Sequence, residues 1–377
     1  MGRKVMGRKI PQGHLTELLS LADVRVNGDR PWDIHVHNEK FYGRVLTQGE
    51  LGLGESYMDG WWDCDRLDKF FHRILQAELD TKVKLRTVLF DILKSKLINL
   101  QKPSRAFHVG QRHYDIGNNV YQHMLDKRLI YSCGYWKNAS TLDEAQEDKL
   151  NLVCRKLDLR PGMRVLDIGC GWGGTARFAA EQYKVEVVGI TVSEKQVQFG
   201  KELCRGLPVE IRLQDYRNLK GTFDRILSIG MFEHVGYKNY ITFFRVVNRC
   251  LKDNGLFLLH TIGSNRSVTI NDPWIERYIF PNSMLPSAKQ ICAGIEGLFV
   301  LEDWHSFGAD YDTTLMHWFR NFDKNWDVIK EEYGERFYRM WKYYLLSCAG
   351  CFRARENQLW QIVLSANGVP GGYNSLR

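Results

Sequence analysis

Residues 164–175, RVLDIGCGWGGT, decide the fold of this chain. The apolar side chains of Val165, Leu166 and Ile168 predict a short buried strand. A glycine-dense turn follows the strand, and residues 176–183 continue with the spacing of a helix. Strand, turn and helix predict the first βα unit of a doubly wound, mostly parallel α/β sheet. The ligand of such a sheet binds beyond the carboxyl ends of the strands.

The turn contains four glycines, Gly169, Gly171, Gly173 and Gly174. Glycine lets the backbone approach a ligand closely, and the amino terminus of the following helix favours a carboxylate. The same GxGxxG pattern occurs in dinucleotide-binding proteins. Asp167 argues against a dinucleotide, because a carboxylate at the strand end favours a cation over a pyrophosphate. The next predicted strand, residues 184–190, is followed by Thr191, which offers no carboxylate to a ribose diol.

Further strands are predicted from apolar runs between helical segments, and regular alternation of the two indicates a parallel sheet. The predicted strands are residues 164–168, 184–190, 209–213, 223–229 and 256–262, with later ones near 299–304 and 358–364. Polar residues follow these strands, where the crevice of such a sheet lies. Asp215 could bind an adenine amino group, and Thr191 and Gln196 could reach a ribose or methionine group.

Length and composition predict one large domain and a smaller one, since the chain has 377 residues and 44% hydrophobic content. No apolar run approaches the roughly 20 residues that span a bilayer. The nine dispersed cysteines indicate a reducing compartment, so we expect a cytoplasmic protein. Residues 101–104, QKPS, mark the expected boundary between a helical amino-terminal domain, residues 1–104, and a catalytic domain, residues 105–377.

Basic charge is concentrated near the amino terminus. Residues 1–10 carry four basic side chains, and residues 82–112 carry eight basic and one acidic, which exceeds the net charge of +8 for the whole chain. A partner with a negative surface, a membrane or a nucleic acid, is therefore considered. The predicted helix at residues 81–100 mixes lysines with an apolar stripe, which fits a helix lying on an anionic membrane. An amphipathic helix packed on its own domain fits equally well.

Two other segments of the amino-terminal region carry structural expectations. Residues 24–26 and 32–36 alternate like strands around the turn at residues 27–29. Residues 51–62, LGLGESYMDGWW, contain too much glycine for a plain helix. Their aromatic side chains predict a small core or a contact with apolar ligand chains.

The run DIGCGWGG resembles the first motif of class I S-adenosylmethionine-dependent methyltransferases, in which the acidic residue lies near the sulfonium end of the cofactor. A narrower resemblance follows, and it extends in the same order over residues 51–354. The motifs resemble the cyclopropane-fatty-acyl-phospholipid synthases and, more distantly, the mycolic acid cyclopropane synthases. They are LGLGESYMDGWW, HYDIGNNVY, YSCGYW, VLDIGCGWGG, LQDYRN, GMFEHVG, LLHTIG, DPWIERYIFP, EDWHSFGADYDTTL and CAGCFRAR.

This resemblance implies an enzyme that transfers a methylene from S-adenosylmethionine to a cis double bond of an acyl chain in a membrane phospholipid. It implies cofactor contacts at Tyr131, Ser132, Asp167, Gly169, Gly171, Gly173, Gly174, Thr191, Gln196, Gln214, Asp215 and Tyr216. The basic amino-terminal helices become a membrane-docking and dimer-forming module. We therefore expect a homodimer, bound peripherally to the inner face of the membrane, with no nucleic acid partner.

The resemblance also implies that a bound bicarbonate ion removes the last proton. Its ligands are expected to be Cys133, Glu233, His260, the Ile262 backbone and Tyr311. Glu233 beside an anion must accept the proton of the bicarbonate hydroxyl or be protonated itself, and the sequence leaves both possibilities open.

Cys348 and Cys351 have CxxC spacing, but no second pair exists for zinc, so no metal site is expected. Cys348 matches a cysteine once considered a nucleophile in this family, and it is the weakest candidate catalytic residue because the mechanism needs no covalent enzyme intermediate.

Three alternatives stay open. A relative could leave a methyl branch instead of a ring. A nucleic-acid methyltransferase could use the basic region, although residues 271–274, NDPW, only approximate the motif of base amino methylation. A lipid-binding protein without catalysis could retain the fold.

Overall fold

The computed structural model describes residues 6–79 and 117–377. They form two compact units, and each helix and strand is labelled in chain order. The strands are β1 (His35–Val36), β2 (Trp62–Asp63), β3 (Arg164–Ile168), β4 (Glu186–Thr191), β5 (Val209–Leu213), β6 (Phe223–Ile229), β7 (Leu251–Ser264), β8 (Val300–Ser306) and β9 (Asn357–Ser365). The helices are α1 (Met6–Leu21), α2 (Lys40–Met58), α3 (Leu67–Gln76), α4 (Asn118–Met124), α5 (Leu142–Lys156), α6 (Gly174–Tyr183), α7 (Glu194–Leu203), α8 (Tyr240–Cys250), α9 (Pro273–Tyr278), α10 (Ala288–Ile295), α11 (Ala309–Lys324), α12 (Trp326–Tyr333) and α13 (Glu335–Arg353).

The sheet unit contains a seven-stranded sheet of order β5-β4-β3-β6-β7-β9-β8. Strands β3 to β7 pair in parallel, and β8 pairs antiparallel with β9. The sheet order reverses at β3, whose neighbours β4 and β6 lie on its two sides. A doubly wound sheet binds its ligand where the order reverses, so the glycine turn after β3 lies at the expected crevice. The predicted fold class is confirmed.

Apolar side chains cover both faces of this sheet, which explains why its strands read as continuous apolar runs. Neighbouring residues of β3 enter opposite cores: Val165 packs in a cluster with α5 and α6, and Leu166 packs in a cluster with α8 and α10. The strands β3, β5 and β6 have the predicted bounds, and β7 begins five residues before its prediction. The sheet unit consists of Asn99–Thr269, Asn282–Thr314 and Gln358–Arg377, as far as they are described.

The amino-terminal unit combines the first helices with Ile270–Pro281 and Leu315–Asn357. Helix α13 packs against α3 and α2, and α9 packs against α2. Its core is aromatic: Tyr57 contacts Trp62 and Tyr343, and Tyr343 contacts Trp274 at 4.5 Å between ring centroids. Chain segments far apart in sequence therefore complete this unit. The expected boundary at residues 101–104 and the predicted helix at residues 81–100 lie outside the described residues.

Residues 51–58 form the second half of α2, so the expectation that glycine excludes a plain helix there is wrong. The helix kinks at Gly49, whose φ of 58° is not helical, and continues to Met58. Gly54 is needed for packing: a Cβ there would lie 2.4 Å from Trp274 Cδ1. Glycine in this helix accommodates an indole ring and does not break the helix.

The strands predicted at residues 24–26 and 32–36 are also largely wrong. The structure has an isolated bridge between Val26 and Ile34 and the two-residue β1, which pairs with β2. The fully buried carboxylate of Asp33 accepts hydrogen bonds from the backbone amides of Arg25, at 2.8 Å, and Arg30, at 3.1 Å. Because these amides bond to a side chain, they do not form a strand ladder.

We expect Gly54→Ala to lower the free energy of unfolding by about 1–3 kcal/mol, because Trp274 is buried and cannot move away from the added methyl group. Gly43→Ala in the same helix is the matched control. Nothing lies within 4 Å of its Cβ position, and alanine favours the helix by up to about 1 kcal/mol. Urea unfolding followed by tryptophan fluorescence measures both, and equal stabilities of the two variants would contradict the packing role of Gly54.

Candidate active site at the carboxyl edge of the sheet

The glycine turn brings the backbone of β3 close to the segment after β6. Gly169 has a φ of 87°, and a Cβ there would lie 2.6 Å from Met231 Cβ. The Gly169 and Cys170 amides both donate to Ile190 O, at 3.0 Å, so the turn also rests on the end of β4. Only glycine fits at residue 169, because both the backbone angle and the space exclude a side chain.

Asp167, on β3 beside this turn, is a buried carboxylate without a hydrogen-bond partner for Oδ2 in the described part of the chain. Burial raises its pKa to about 7, and the Lys149 ammonium partly offsets this effect. An unpaired buried carboxylate is costly, so a cationic ligand at this position would stabilise it. The structure places Asp167 where the sequence predicted it.

The predicted cofactor contacts after β4 and β5 lie next to each other. Gln214 N donates to Thr191 O at 2.9 Å, and Thr191 Oγ1 donates to Gln196 Oε1 at 2.6 Å. This leaves Gln196 Nε2 buried and without a partner among the described residues. Asp215 accepts hydrogen bonds from Arg217 N and Nη1, and the Tyr216 hydroxyl is buried.

Residues 131–132 lie near Tyr121 and near Gly230, which follows β6. Tyr121 on α4 contacts Tyr131 at 5.1 Å and Trp172 of the glycine turn at 5.0 Å, between ring centroids. Ser132 is buried, and a Cβ at Gly230 would lie 3.9 Å from Ser132 Cβ. Tyr121 therefore links Tyr131 to the glycine turn, and the contact of Tyr131 and Ser132 with a cofactor stays a prediction.

Glu233, after β6, is buried and held in one orientation. Its Oε1 accepts a hydrogen bond from Ile262 N at 2.6 Å, and its Oε2 has no partner in the described residues. Burial raises the pKa of Glu233 to about 7, although the hydrogen bond from Ile262 opposes this. The Ile262 amide is thus already engaged by Glu233, and its direct contact with an oxyanion stays a prediction.

His260, on β7, is also fully buried. Gln361 Nε2 donates to Nδ1 at 3.3 Å, so a neutral ring carries its proton on Nε2, which has no partner in the described structure. Burial, together with the charges of Lys149 and Lys156, holds the pKa of His260 well below its usual value. A backbone hydrogen bond links β7 to the end of β6: Gly230 N donates to His260 O at 2.9 Å.

Cys133 and Tyr311 lie on two segments tied together by Thr314. Thr314 Oγ1 accepts hydrogen bonds from Gly134 N, at 3.1 Å, and Trp136 Nε1, at 2.9 Å, and it lies 3.7 Å from Cys133 Sγ. Tyr311 is buried in the first turn of the same helix, α11. Burial raises the pKa of Cys133 well above its usual value, so its side chain is a thiol.

Cys348 belongs to the amino-terminal unit, on α13, and burial raises the pKa of its thiol to about 12. A thiol with this pKa is a poor nucleophile at neutral pH. Among the described residues, no group of three or more His, Cys, Asp or Glu side chains could hold a metal ion.

Sequence reasoning missed Gln146, Lys149 and Gln361, which hold Ser132 and His260. Gln146 and Lys149 lie among the buried residues Ala145, Leu150 and Val153 of α5. Polar residues on the apolar face of a predicted helix were the signal that could have identified them.

The chain is similar to known proteins over most of its length. The family model of mycolic acid cyclopropane synthetase matches residues 101–362. The chain is 55% identical to the cyclopropane-fatty-acyl-phospholipid synthase of Escherichia coli (strain K12), over 96% of this chain and 94% of that one. It is 34% identical to sphingolipid C9-methyltransferase A of Emericella nidulans, over 90% of this chain and 70% of that one. A crystal structure of a mycolic acid cyclopropane synthase complexed with SAH and CTAB has a TM-score of 0.64 and 33% identity, covering 68% of this chain and 97% of that one.

We predict that Asp167 and Glu233 lose their protons near pH 7, because burial disfavours the charged carboxylates. The native state then binds protons that the unfolded state releases near pH 4, so their contribution to the free energy of unfolding falls as pH rises through about 7. Infrared difference spectra between about pH 5 and about pH 9 measure protonated carboxyl groups, and Asp167→Asn and Glu233→Gln should each remove one band.

Glu210→Gln is the control for these spectra. Glu210 lies on the exposed side of β5, and its hydrogen bond with Arg212 lowers its pKa, so no band in this range should disappear. Wild-type spectra without a protonated carboxyl band at the lower pH would contradict the prediction.

Proposed function

This chain belongs to the mycolic acid cyclopropane synthetase family, and we propose that it converts cis double bonds of phospholipid acyl chains into cyclopropane rings. It is an S-adenosylmethionine-dependent methyltransferase. The match to the Escherichia coli synthase over 96% of the chain carries this conclusion. The site supports it, because polar groups that have no partner among the described residues lie buried beside a glycine turn.

The residues of the sheet edge fit S-adenosylmethionine. Among the described residues, nothing lies within 4 Å of a Cβ built at Gly171, Asp167 Oδ2 is an unpaired acceptor for a positive ligand, and Gln196 Nε2 is an unpaired donor. The proposed contacts continue through Tyr131, Ser132, Thr191 and the residues after β5. These contacts hold the positive sulfonium at a fixed place, which a weakly nucleophilic alkene requires.

Bound S-adenosylmethionine supplies an electrophilic methyl group, and its transfer to the alkene leaves a carbocation on the acyl chain. Ring closure then needs removal of one proton from the transferred methyl group. In the described part of the site, Asp167 and Glu233 are half-protonated near pH 7, His260 is neutral and Cys133 is a thiol. We propose that a small bound oxyanion, and not one of these side chains, takes this proton.

We propose bicarbonate as this oxyanion, with Cys133, Glu233, His260 and Tyr311 as its side-chain ligands. In the described structure, His260 Nε2–H is a buried donor without a partner, and Glu233 Oε2 is a buried acceptor without one. His260 would donate to a bicarbonate oxygen, and Glu233 would accept the bicarbonate hydroxyl proton. The bound oxyanion would take the proton from the methyl group, because its basicity is not reduced by a charged histidine.

A methyl-branched product is the second candidate. The chain is similar to a sphingolipid C9-methyltransferase, and this similarity favours a methyl-branched product as the second candidate. Such a branch would remain if the carbocation lost a proton from the acyl chain instead of from the transferred methyl group. Analysis of the product distinguishes the two: cyclopropanation adds one CH2 and removes the double bond.

Membrane association and dimer formation are also proposals. Among the described helices, none is both long and apolar enough to cross a bilayer. We infer that the protein lies in the cytoplasm and docks on the inner face of the membrane through its basic segment, residues 82–112, which is outside the described residues. The lysines there would attract anionic lipids by charge.

The wild-type protein, radiolabelled methyl donor and unsaturated phospholipid vesicles should yield a labelled, saturated cyclopropane acyl chain. Glu233→Gln should lower turnover by about 100-fold or more, because the amide cannot accept the bicarbonate hydroxyl proton through its nitrogen. Calorimetry should show binding of S-adenosylhomocysteine within about threefold of wild type, because Glu233 is proposed to hold the oxyanion and not the cofactor. Glu210→Gln is the control for a remote carboxylate, and full turnover by Glu233→Gln would remove Glu233 from the mechanism.

Charge reversal at Lys94 and Lys96 should weaken co-sedimentation with anionic vesicles and reduce its dependence on salt. Reversal at Lys195 and Lys201, two exposed lysines of α7, is the matched control because it changes the net charge equally. Equal vesicle binding by both double variants would contradict docking through residues 82–112, and retention on RNA instead of vesicles would favour a nucleic-acid substrate.

A further inference from the structure

Helix α5 carries two fully buried lysines, Lys149 and Lys156, two turns apart on one face. Burial lowers the pKa of each to about 8. Lys156 has a counter-charge: its Nζ lies 3.3 Å from Asp303 Oδ2 and 3.1 Å from His305 Nδ1. Lys149 has no carboxylate within 4.0 Å in the described residues, so its charge is not balanced by an ion pair.

Within the part of the chain that the structure describes, Lys149 Nζ makes one hydrogen bond, to Ser132 Oγ at 2.9 Å. An ammonium group has three N–H donors, and burying it without an anion is energetically unfavourable. The carboxylates that act on it from a longer distance are Asp126 and Asp167. Asp126 already accepts hydrogen bonds from Arg128 N and Ile130 N. A further negative charge near Lys149 would therefore stabilise its ammonium group.

The segment that Lys149 holds is the one that carries the proposed ligands. Gln146, one turn earlier on α5, donates from Nε2 to Ser132 O at 2.7 Å, so Ser132 is fixed through both its backbone and its side chain. Cys133 follows directly. The charge of Lys149 acts on both Cys133 and His260, which lie on different segments of the site.

We propose that Lys149 is a positioning residue that fixes Ser132 and supplies the fixed positive charge that attracts the small oxyanion to Cys133, Glu233 and His260. It acts on the oxyanion through this charge and through Ser132. The His260 ring is neutral and Cys133 is a thiol, so neither supplies positive charge. Lys149 supplies that charge without itself donating a hydrogen bond to the oxyanion. This inference rests on the proposed bicarbonate site.

Lys149→Met tests the inference, because methionine keeps the length and removes the charge. In buffer depleted of carbon dioxide, its half-saturating bicarbonate concentration should rise about tenfold, with a smaller change in kcat at saturating bicarbonate. Lys149→Arg should restore the wild-type concentration at least in part. Lys156→Met is the matched control, and its half-saturating concentration should stay within about threefold of wild type, because Lys156 is ion-paired with Asp303 and Arg377 continues to pair with Asp303 when Lys156 is removed.

A second measurement does not depend on turnover. With S-adenosylhomocysteine bound, added bicarbonate should raise the melting temperature of wild type and of Lys156→Met, and raise it less in Lys149→Met. If Lys149→Met is unfolded by circular dichroism, Lys149→Gln, which can still donate to Ser132 Oγ, replaces it in both measurements.

An unchanged bicarbonate dependence in the charge-removing variant would overturn the role of Lys149, and so would a loss of kcat alone. A wild-type enzyme that needs no bicarbonate and gains no stability from it would overturn the oxyanion site itself, together with this inference. The two failures are distinguishable, because the second is already visible in the wild-type protein.

Discussion

The sheet unit depends on one constraint: the polar groups at the carboxyl ends of its parallel strands are kept away from water. Water stabilises ions, so its exclusion favours the neutral form of each group, which is why the pKa of Asp167 and of Glu233 is about 7 and His260 is uncharged. Methylation of an alkene has the same requirement, because water would capture the carbocation before the ring closes. The shifted pKa values and the proposed chemistry therefore have one physical cause.

The fold meets this constraint by covering the crevice from several sides. In the described part of the chain, both faces of the sheet are packed, which leaves the strand ends as its open edge. Thr314 ties the segment of Cys133 to α11, and Gln146 and Lys149 tie Ser132 to α5. A glycine at residue 169 then lets the turn approach Met231. Each contact fixes the geometry of a buried group, because a buried group in a poorer geometry would raise the free energy of the folded state.

Most of the sheet could be predicted because the local sequence of each strand and turn determines its structure. Apolar runs between glycine and polar turns gave β3, β5 and β6 their correct bounds, and parallel topology placed Asp167, Thr191 and Glu233 at one edge. The errors arose where distant residues decide the local structure. Residues 51–58 are helical because Gly54 accommodates Trp274, more than two hundred residues later, and Asp33 takes the amides that a hairpin would use. Lys149 was missed for the same reason, since its partner Ser132 lies on another segment.

In the proposed mechanism, the neutral state of the ligands would let an oxyanion act as a base. A charged imidazolium in contact with bicarbonate would withdraw electron density and lower the affinity of the oxyanion for a proton. A neutral Nε2–H and a thiol would hold the proposed anion by weaker hydrogen bonds and leave its basicity largely intact. The positive charge needed to attract the anion must then lie further away, where its field is felt without direct donation. A lysine behind Ser132 meets this condition, whereas a protonated His260 would not.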